Sequence, residues 1–245
     1  WSGSLRRGDE GELEAWLALA LDLADVADAM AMGAFRRDLE ITTKPDRTFV
    51  TQADRAIEEA LRARIPDAHP DHGVVGEEFG TSAPDASVRW YLDPIDGTHN
   101  FMRGVPVFGT LLGIERDSEL QVGVVSAPAL GTRWYARRGG GAWAIDTVRP
   151  GAAPPRRLAV SKVSGIADMA LLYGSAQDVD SSGRAPGFGA LVGDVWRDRG
   201  YGDFWGYTLV AEGAAEAMVE ADLSAWDLAG PLVVLEGADG RVTTL

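Results

Sequence analysis

The chain contains no cysteine among its 245 residues. That absence excludes disulfides, thiolate nucleophiles and thiolate metal ligation together. Histidine is scarce as well. Only His69, His72 and His99 occur, two of them in one Pro/Asp-rich turn. A zinc site is therefore a poor expectation, and any metal is expected on oxygen ligands. No apolar run is both long and unbroken. Residues 13–35 come nearest, but Asp22, Asp25 and Asp28 punctuate them and fall on one side of a helix, which marks the segment as amphipathic rather than membrane-spanning. Positive charge is also in deficit, with a net charge of −14. That balance argues against nucleic acid or an anionic membrane as the main partner. It also poses a difficulty for a phosphate substrate, one that metal ions would solve by cancelling carboxylate charge locally. No targeting segment, internal repeat or low-complexity tract is evident, and a cytoplasmic enzyme is the expectation. The chain begins at Trp1 rather than Met, so a short N-terminal piece is expected to be missing or engineered.

What is present is a set of acidic clusters at the ends of apolar runs. Residues 88–92 read as a buried strand that Pro94 terminates, so that Asp93 and Asp96 leave the sheet on a stiff turn. Gly97 and Thr98 follow at the start of a helical turn, where backbone N–H groups can seat a phosphate. Hard oxygen ligands beside an anion seat suit magnesium-assisted phosphoryl chemistry. Taken alone, the string is also an ordinary Asp-Pro-Gly turn.

In chain order, residues 12–35 have helical period. Residues 40–51 suggest a hairpin turning at Pro45-Asp46. Thr51 is a good N-cap for a helix over 52–64, which Pro66 stops; Asp54 in its first turn, taken alone, reads first as dipole compensation. A short strand over 73–76 delivers Glu77 and Glu78, either as a solvated rim or, if that strand neighbours the next, beside Asp93. Residues 81–88 read as a polar loop, and 105–138 as an antiparallel meander. The glycine run at 139–141 lacks the spacing of a nucleotide loop and reads as a hairpin turn. Residues 146–156 are the best linker, which divides the chain into 1–150 and 151–245. Beyond it the pattern alternates: strands at 158–160 and 170–173, a Gly/Ser-rich loop at 180–190, a helix over 203–213, a strand at 217–219 leading to Glu220, a helix over 227–235, and a final strand. Asp227 is either the cap of that last helix or a ligand at the end of a rigid element.

Three segments, Gly76-Glu77-Glu78, Asp93-Pro94-Ile95-Asp96-Gly97-Thr98-His99-Asn100-Phe101 and Trp226-Asp227-Leu228-Ala229-Gly230, stand in the order of the inositol monophosphatase signatures. The chain resembles that family over nearly its whole length. The resemblance implies a layered αβαβα sugar-phosphatase fold of the α/β class, α+β in its N-terminal half and α/β in its C-terminal half. It also implies magnesium-dependent hydrolysis of a small phosphate monoester by a homodimer. Glu77, Asp93, the Ile95 carbonyl, Asp96 and Asp227 are implied as ligands of two or three Mg²⁺ ions, with Asp93 bridging two. Thr98, bonded to Asp54, is implied to orient and help deprotonate the attacking water, with Glu78 as a supporting partner. Gly97 and Thr98 would hold the phosphate beside Asp96, and Lys44 would add charge nearby.

Substrate choice depends on the C-terminal half, where Arg199-Gly200-Tyr201-Gly202-Asp203-Phe204-Trp205 replaces the small-residue stretch of the inositol phosphatases. Asp203 then falls where the organic part of the substrate lies, unless it only caps the following helix. Glu220 matches the family's substrate-hydroxyl carboxylate. Two carboxylates beside the leaving group suit an amine better than a neutral polyol. The string at 201–205, with residues 41–46 and 124–130, resembles the family's histidinol-phosphate phosphatases. A broad inositol or sugar monophosphatase is the rival enzyme, and a regulatory binding protein the rival outside enzymes. His99 receives no role.

Overall fold

In the computed structural model residues 7–37, 40–43, 49–148, 151 and 153–243 are described. Helix α1 spans Arg7–Ala34 and α2 spans Gln52–Ala68. On α1 the buried positions Leu13, Trp16, Ala20, Leu23, Ala27 and Ala31 recur every three or four residues, as one face of a helix requires. They pack with Ile57, Leu61 and Ile65 of α2 against one face of a large sheet. The acids of α1 do not all face solvent, as their spacing suggests. Arg133, only 4% exposed, donates to Asp25 Oδ1 and Asp28 Oδ2 at 2.7 Å each, and Asp28 also accepts from Ser126. This network bolts α1 to the sheet. Asp25 is largely exposed, but Arg133 and Asp28 are not, and removing one partner of such a buried pair typically costs about 3–5 kcal/mol.

The large sheet contains β3 (Gly73–Gly76), β4 (Gly80–Ser82), β5 (Val88–Asp96), β6 (Gly109–Arg116), β7 (Glu119–Ala127), β8 (Thr132–Arg137), β9 (Gly141–Asp146) and β10 (Arg156–Arg157), in the order β10-β9-β8-β7-β6-β5-β3-β4. A separate antiparallel pair joins β1 (Ile41–Thr43) to β2 (Phe49–Thr51). The two arms of the expected hairpin therefore form, while its turn and Lys44 lie outside the described residues. Alternate residues of the sheet face opposite ways. Leu112 and Val124 join the α1–α2 core, whereas Leu111 and Val125 face a second core on the other side.

That second core is closed by α6 (Asp203–Ala211) and α7 (Ala225–Gly237). Helix α7 lies across β5 to β9. Its close seat needs glycine beneath it, because a Cβ on Gly113 would stand 2.4 Å from Ala229 Cβ. A parallel sheet of β12 (Arg197–Arg199), β11 (Ala170–Tyr173) and β13 (Ala217–Val219) forms the next layer. Leu172 faces the second core, while Tyr173 points the other way and meets Phe188 of α5 (Ala185–Asp194) edge-on. The result is the expected αβαβα layering, an α/β fold.

Several local expectations are corrected. Pro66 does not stop α2, which continues to Ala68; Pro in a last turn forfeits only one hydrogen bond, and buried Ile65 holds that turn down. Part of the loop at 81–88 is β4, an edge strand on β3. Residues 158–160 are not a strand; the pairing falls earlier, at β10 against β9. The expected loop at 180–190 is largely helical, in α4 (Ala176–Ser181) and α5. Ser175 caps α4, and Pro186 sits in the first turn of α5, where its missing N–H costs nothing. Among the described residues no strand follows α7; residues 241–243 are exposed and meet no sheet edge.

Candidate active site

Strand β5 carries the centre of the site. It runs through Pro94 instead of ending there, because the proline sits in a bulge, where the ladder needs no N–H from it. Pairing with β6 jumps from Asp93↔Leu111 to Asp96↔Gly109, and Thr110 Oγ1 ties the bulge by donating to Pro94 O at 2.9 Å. Asp93 and Asp96 are therefore strand residues aimed by a bulge. Beside them β3 pairs parallel to β5, with Gly76 opposite Leu92, and the Glu77 N–H donates to Leu92 O. Glu77 and Asp93 thus emerge at one edge, as adjacent strands would place them.

The turn after β3 is held from below by a residue the sequence reading overlooked. Glu58 of α2 is fully buried; it accepts from the Glu78 N–H at 2.7 Å, the Phe79 N–H at 3.2 Å and Arg62 Nε at 2.7 Å. Its place one turn beyond Asp54 on the same helix face was the available signal. The Glu78 side chain is buried 3.9 Å from Arg55 Nε and does not line the cavity described below.

Asp54 both caps its helix and faces Thr98. It is the third residue of α2 and completes a capping box with Thr51, whose N–H and hydroxyl both donate to Oδ2, at 2.8 and 2.5 Å. Oδ1 is left to face Thr98 Oγ1 at 3.4 Å. The Thr98 hydroxyl also lies 2.9 Å from the Ile95 carbonyl. Thr98 opens the short helix α3 (Thr98–Met102), and Gly97 enters it at φ +77°, a left-handed turn that glycine makes without strain. Asp227 likewise caps and faces the site: its Oδ2 accepts from the Ser224 N–H at 2.7 Å. Trp226 beside it is half-buried rather than fully buried.

Asp203 does not cap α6. Gly202 does, and Asp203 is the first helical residue, held at φ +50°, which Asp tolerates better than most side chains. This turn gives the helix two N–H groups aimed at acids. That of Phe204 donates to Asp96 Oδ2 at 2.7 Å, and that of Asp203 to the Glu220 carboxylate. The Asp203 carboxylate accepts from Asn100 Nδ2 at 3.3 Å.

These side chains line a cavity of about 290 Å³. Glu77, Asp93 and Asp96 reach it from the ends of β3 and β5, joined by Asp227 of α7 (the β5 end), and Asp178, Asp203, Glu220 and Asp222 reach it from α4, α6 and the segment after β13 (the far end). The cavity has no lysine or arginine in its lining among the described residues. Burial, then Glu77, Asp96, Asp227 and Asp54 around it, push the Asp93 carboxyl well above the ordinary range. Burial and then Asp203 do the same to Asp96. Asp93 Oδ1 is buried with no hydrogen-bond partner. Among the described residues no three acidic or histidine side chains are placed to hold a metal ion together as they stand. The donor set nevertheless fits a hard divalent cation: it is all oxygen, crowded with like charge, and includes an orphaned buried carboxylate oxygen.

A family model described as the inositol monophosphatase family matches residues 12–245. The chain belongs to that family. It is 47% identical over 231 residues to the histidinol-phosphatase of Mycobacterium tuberculosis, across 94% of this chain and 87% of that protein. To the histidinol-phosphatase of Streptomyces coelicolor it is 44% identical over 234 residues, across 94% and 86%. Among solved structures, the extragenic suppressor protein suhB of Bartonella henselae superposes with a TM-score of 0.82 at 24% identity, covering 91% of this chain and 85% of that one, which speaks for the fold alone.

Of the residues that the family signatures single out, the structure brings Glu77, Asp93, Ile95, Asp96, Gly97, Thr98 and Asp227 into one cavity with Asp203 and Glu220. Asp54 lies just behind Thr98, and Glu78 behind Glu77. Asp178, Tyr207 and Asp222 also line the cavity and were not foreseen. Asp178 belongs to α4, most of which lies before the segment expected as a loop. Tyr207 and Asp222 carried no local signal, because only the packing of α6 and the turn after β13 brings them in. Among the described residues no helix is long and apolar enough to cross a membrane.

Proposed function

We propose that the protein is a Mg²⁺-dependent histidinol-phosphatase, hydrolysing L-histidinol phosphate to L-histidinol and phosphate in histidine biosynthesis. The observation that carries this reading is a cavity lined by eight carboxylates, with no lysine or arginine among the described residues of its lining. A dianionic phosphate cannot enter four carboxylates without cations beside them. A leaving group lodged among four more is best a cation itself. Identity to two histidinol-phosphatases over most of the chain supports the same substrate.

Glu77, Asp93, the Ile95 carbonyl, Asp96 and Asp227 would hold two or three Mg²⁺ ions. Bound magnesium supplies Lewis-acid chemistry, neutralising phosphoryl charge and acidifying water. The chain's own residues do the rest. Asp54 Oδ1 is positioned to take the Thr98 proton, since Thr51 occupies only Oδ2, and the Thr98 hydroxyl can then orient a water toward phosphorus. Glu78 supports the Glu77 turn from behind. The Gly97 and Thr98 N–H groups would receive phosphoryl oxygens beside Asp96, with Lys44 adding charge from the β1–β2 turn. Asp203 and Glu220 would take the amine of the leaving alcohol. In this reading residues 1–150 contribute most of the metal ligands and 151–245 select the substrate, with Asp227 reaching across. We further propose a cytoplasmic homodimer with no nucleic-acid or membrane partner.

Phosphate release in Mg²⁺ buffer, from histidinol phosphate and inositol 1-phosphate side by side, tests the reading. It expects a preference of more than about tenfold in kcat/KM for the former, roughly 1.4 kcal/mol at the transition state. Comparable rates would leave a general monoester phosphatase and remove the amine pocket.

A further inference from the structure

One carboxylate at the far end of the cavity is held more firmly than its neighbours. Glu220 follows β13, and its carboxylate is bonded by the Tyr207 phenol of α6 and by the Asp203 N–H. Its Oε2 is buried with no protein partner, although the side chain lines the cavity. Gly174, just past β11, also packs against it. A Cβ there would stand 2.4 Å from Glu220 Oε1. The backbone at Gly174 is not in the left-handed region, so glycine is needed there for space and not for conformation.

Tyr207 has one proton to give, and it spends it on Glu220. Burial, then the Glu220 charge, push the phenol far above its ordinary range, so it remains a donor throughout the working pH range. The hydroxyl therefore has no proton left for a substrate. Two donors and a glycine-sized gap fix the Glu220 carboxylate, and one buried oxygen remains to be satisfied. An unmet buried acceptor is costly, and a charged one more so. Asp96, Asp203 and Asp227 add negative potential around Glu220. A neutral hydroxyl would meet the hydrogen bond but leave the charge; an ammonium would meet both.

We infer that Tyr207 is a positioning residue for substrate selection, which with Gly174 and the Asp203 N–H presents Glu220 Oε2 to the ammonium of an amino-alcohol phosphate. The inference rests on the proposed amine-phosphate reading and adds the residues that set the pocket's geometry. It predicts that selectivity is lost without touching the acid that makes the contact.

The test compares Tyr207→Phe and Gly174→Ala with the wild-type protein. The substrates are histidinol phosphate and its deamino analogue, which keeps imidazole and phosphate but lacks the ammonium. In each variant the preference for the ammonium ester should fall by roughly tenfold, through KM more than kcat. The two variants act through different contacts of Glu220, on different elements, so a folding defect in one leaves the other as the measurement. Preference retained in both would overturn the inference, as would equal losses on both esters, which mark a merely structural role. A wild-type protein showing no preference would overturn the inference and the reading beneath it together.

Discussion

The two ends of the cavity are equally acidic but differently built. At the β5 end, acids sit on the longest strands and at capped helix starts. Asp54, Asp96 and Asp227 each have one oxygen tied to a backbone N–H, from Thr51, Phe204 and Ser224 at 2.7–2.8 Å. Asp93 has no such tie on Oδ1 and lies among three other carboxylates of the cavity. The far end rests on three short parallel strands and on α4 and α5. Val179 is the only buried residue of α4, and α5 has none. The difference separates two tasks. Phosphoryl chemistry tolerates little displacement of its ligands and is mounted on rigid elements, whereas a leaving-group pocket can select by charge on a looser frame.

The largest effect is expected from Asp93→Asn, which keeps shape and removes charge where the crowding is worst. Phosphate release should fall by about a thousandfold or more, roughly 4 kcal/mol at the transition state. In Mg²⁺-free buffer the same variant should melt at a higher temperature than wild type, because a buried repulsion has gone. Activity that survived would remove Asp93 from the metal site; a binding role unaffected by the change would favour a regulatory protein.

The two ends also differ in how much of them a sequence can reveal. Asp93, Asp96, Gly97 and Thr98 are contiguous, and their neighbours Glu77 and Asp227 lie in short signatures of their own. The local string therefore carried most of the β5 end. Its error concerned Pro94, which breaks a regular ladder but fits a bulge, and a bulge is settled by the partner strand β6. Asp28 is more buried than helical spacing indicates for a similar reason: its partner Arg133 is more than a hundred residues away, and spacing alone groups it with the exposed Asp22 and Asp25. At the far end Asp178 was hidden because the short helix α4, which Ser175 caps, went unread ahead of a Gly/Ser/Pro-rich stretch over 180–190 that suggests a loop. The layering was implied by the family resemblance, while period-2 and period-3.6 patterns marked only individual strands and helices within it.

Glu58→Ala should produce the next largest change, one of stability. It leaves Arg62 and the N–H groups of Glu78 and Phe79 without their buried acceptor, a loss of about 3 kcal/mol by analogy with broken buried pairs. Chemical denaturation would read it. The contrast with the far end predicts that removing Asp178, half-buried on α4, costs far less. A mild Glu58 variant would mean that the β5 end is not the stiffer of the two.

Asp203→Asn tests the far end alone. Its carboxyl is raised mainly by burial, and its charge is drawn partly toward His99. Turnover of histidinol phosphate should drop about tenfold relative to inositol 1-phosphate, or roughly 1.4 kcal/mol. Equal losses on the two substrates would show that Asp203 serves the turn into α6 and not the amine.

The smallest effect concerns protons at Glu220. Burial first, partly offset by the Tyr207 hydrogen bond, pushes its carboxyl up to about 7 from an ordinary 4.5. Between those values the folded protein keeps a proton that the unfolded chain releases. Folding stability from this group is therefore full below pH 4.5, declines as pH rises toward 7, and levels off above. Solvent in the cavity screens the charge, so the change is about 1 kcal/mol. Asp93 and Asp96 contribute with the same sign, and comparison with Glu220→Gln in Mg²⁺-free buffer isolates the one group. The variant should lose less stability than wild type between pH 5 and 7. Histidinol, by pairing its ammonium with Glu220, should flatten the wild-type slope and leave that of the variant nearly as it was. If histidinol changed both slopes alike, the cation would sit at another carboxylate of the far end, and Glu220 would be an acid strained by its burial alone.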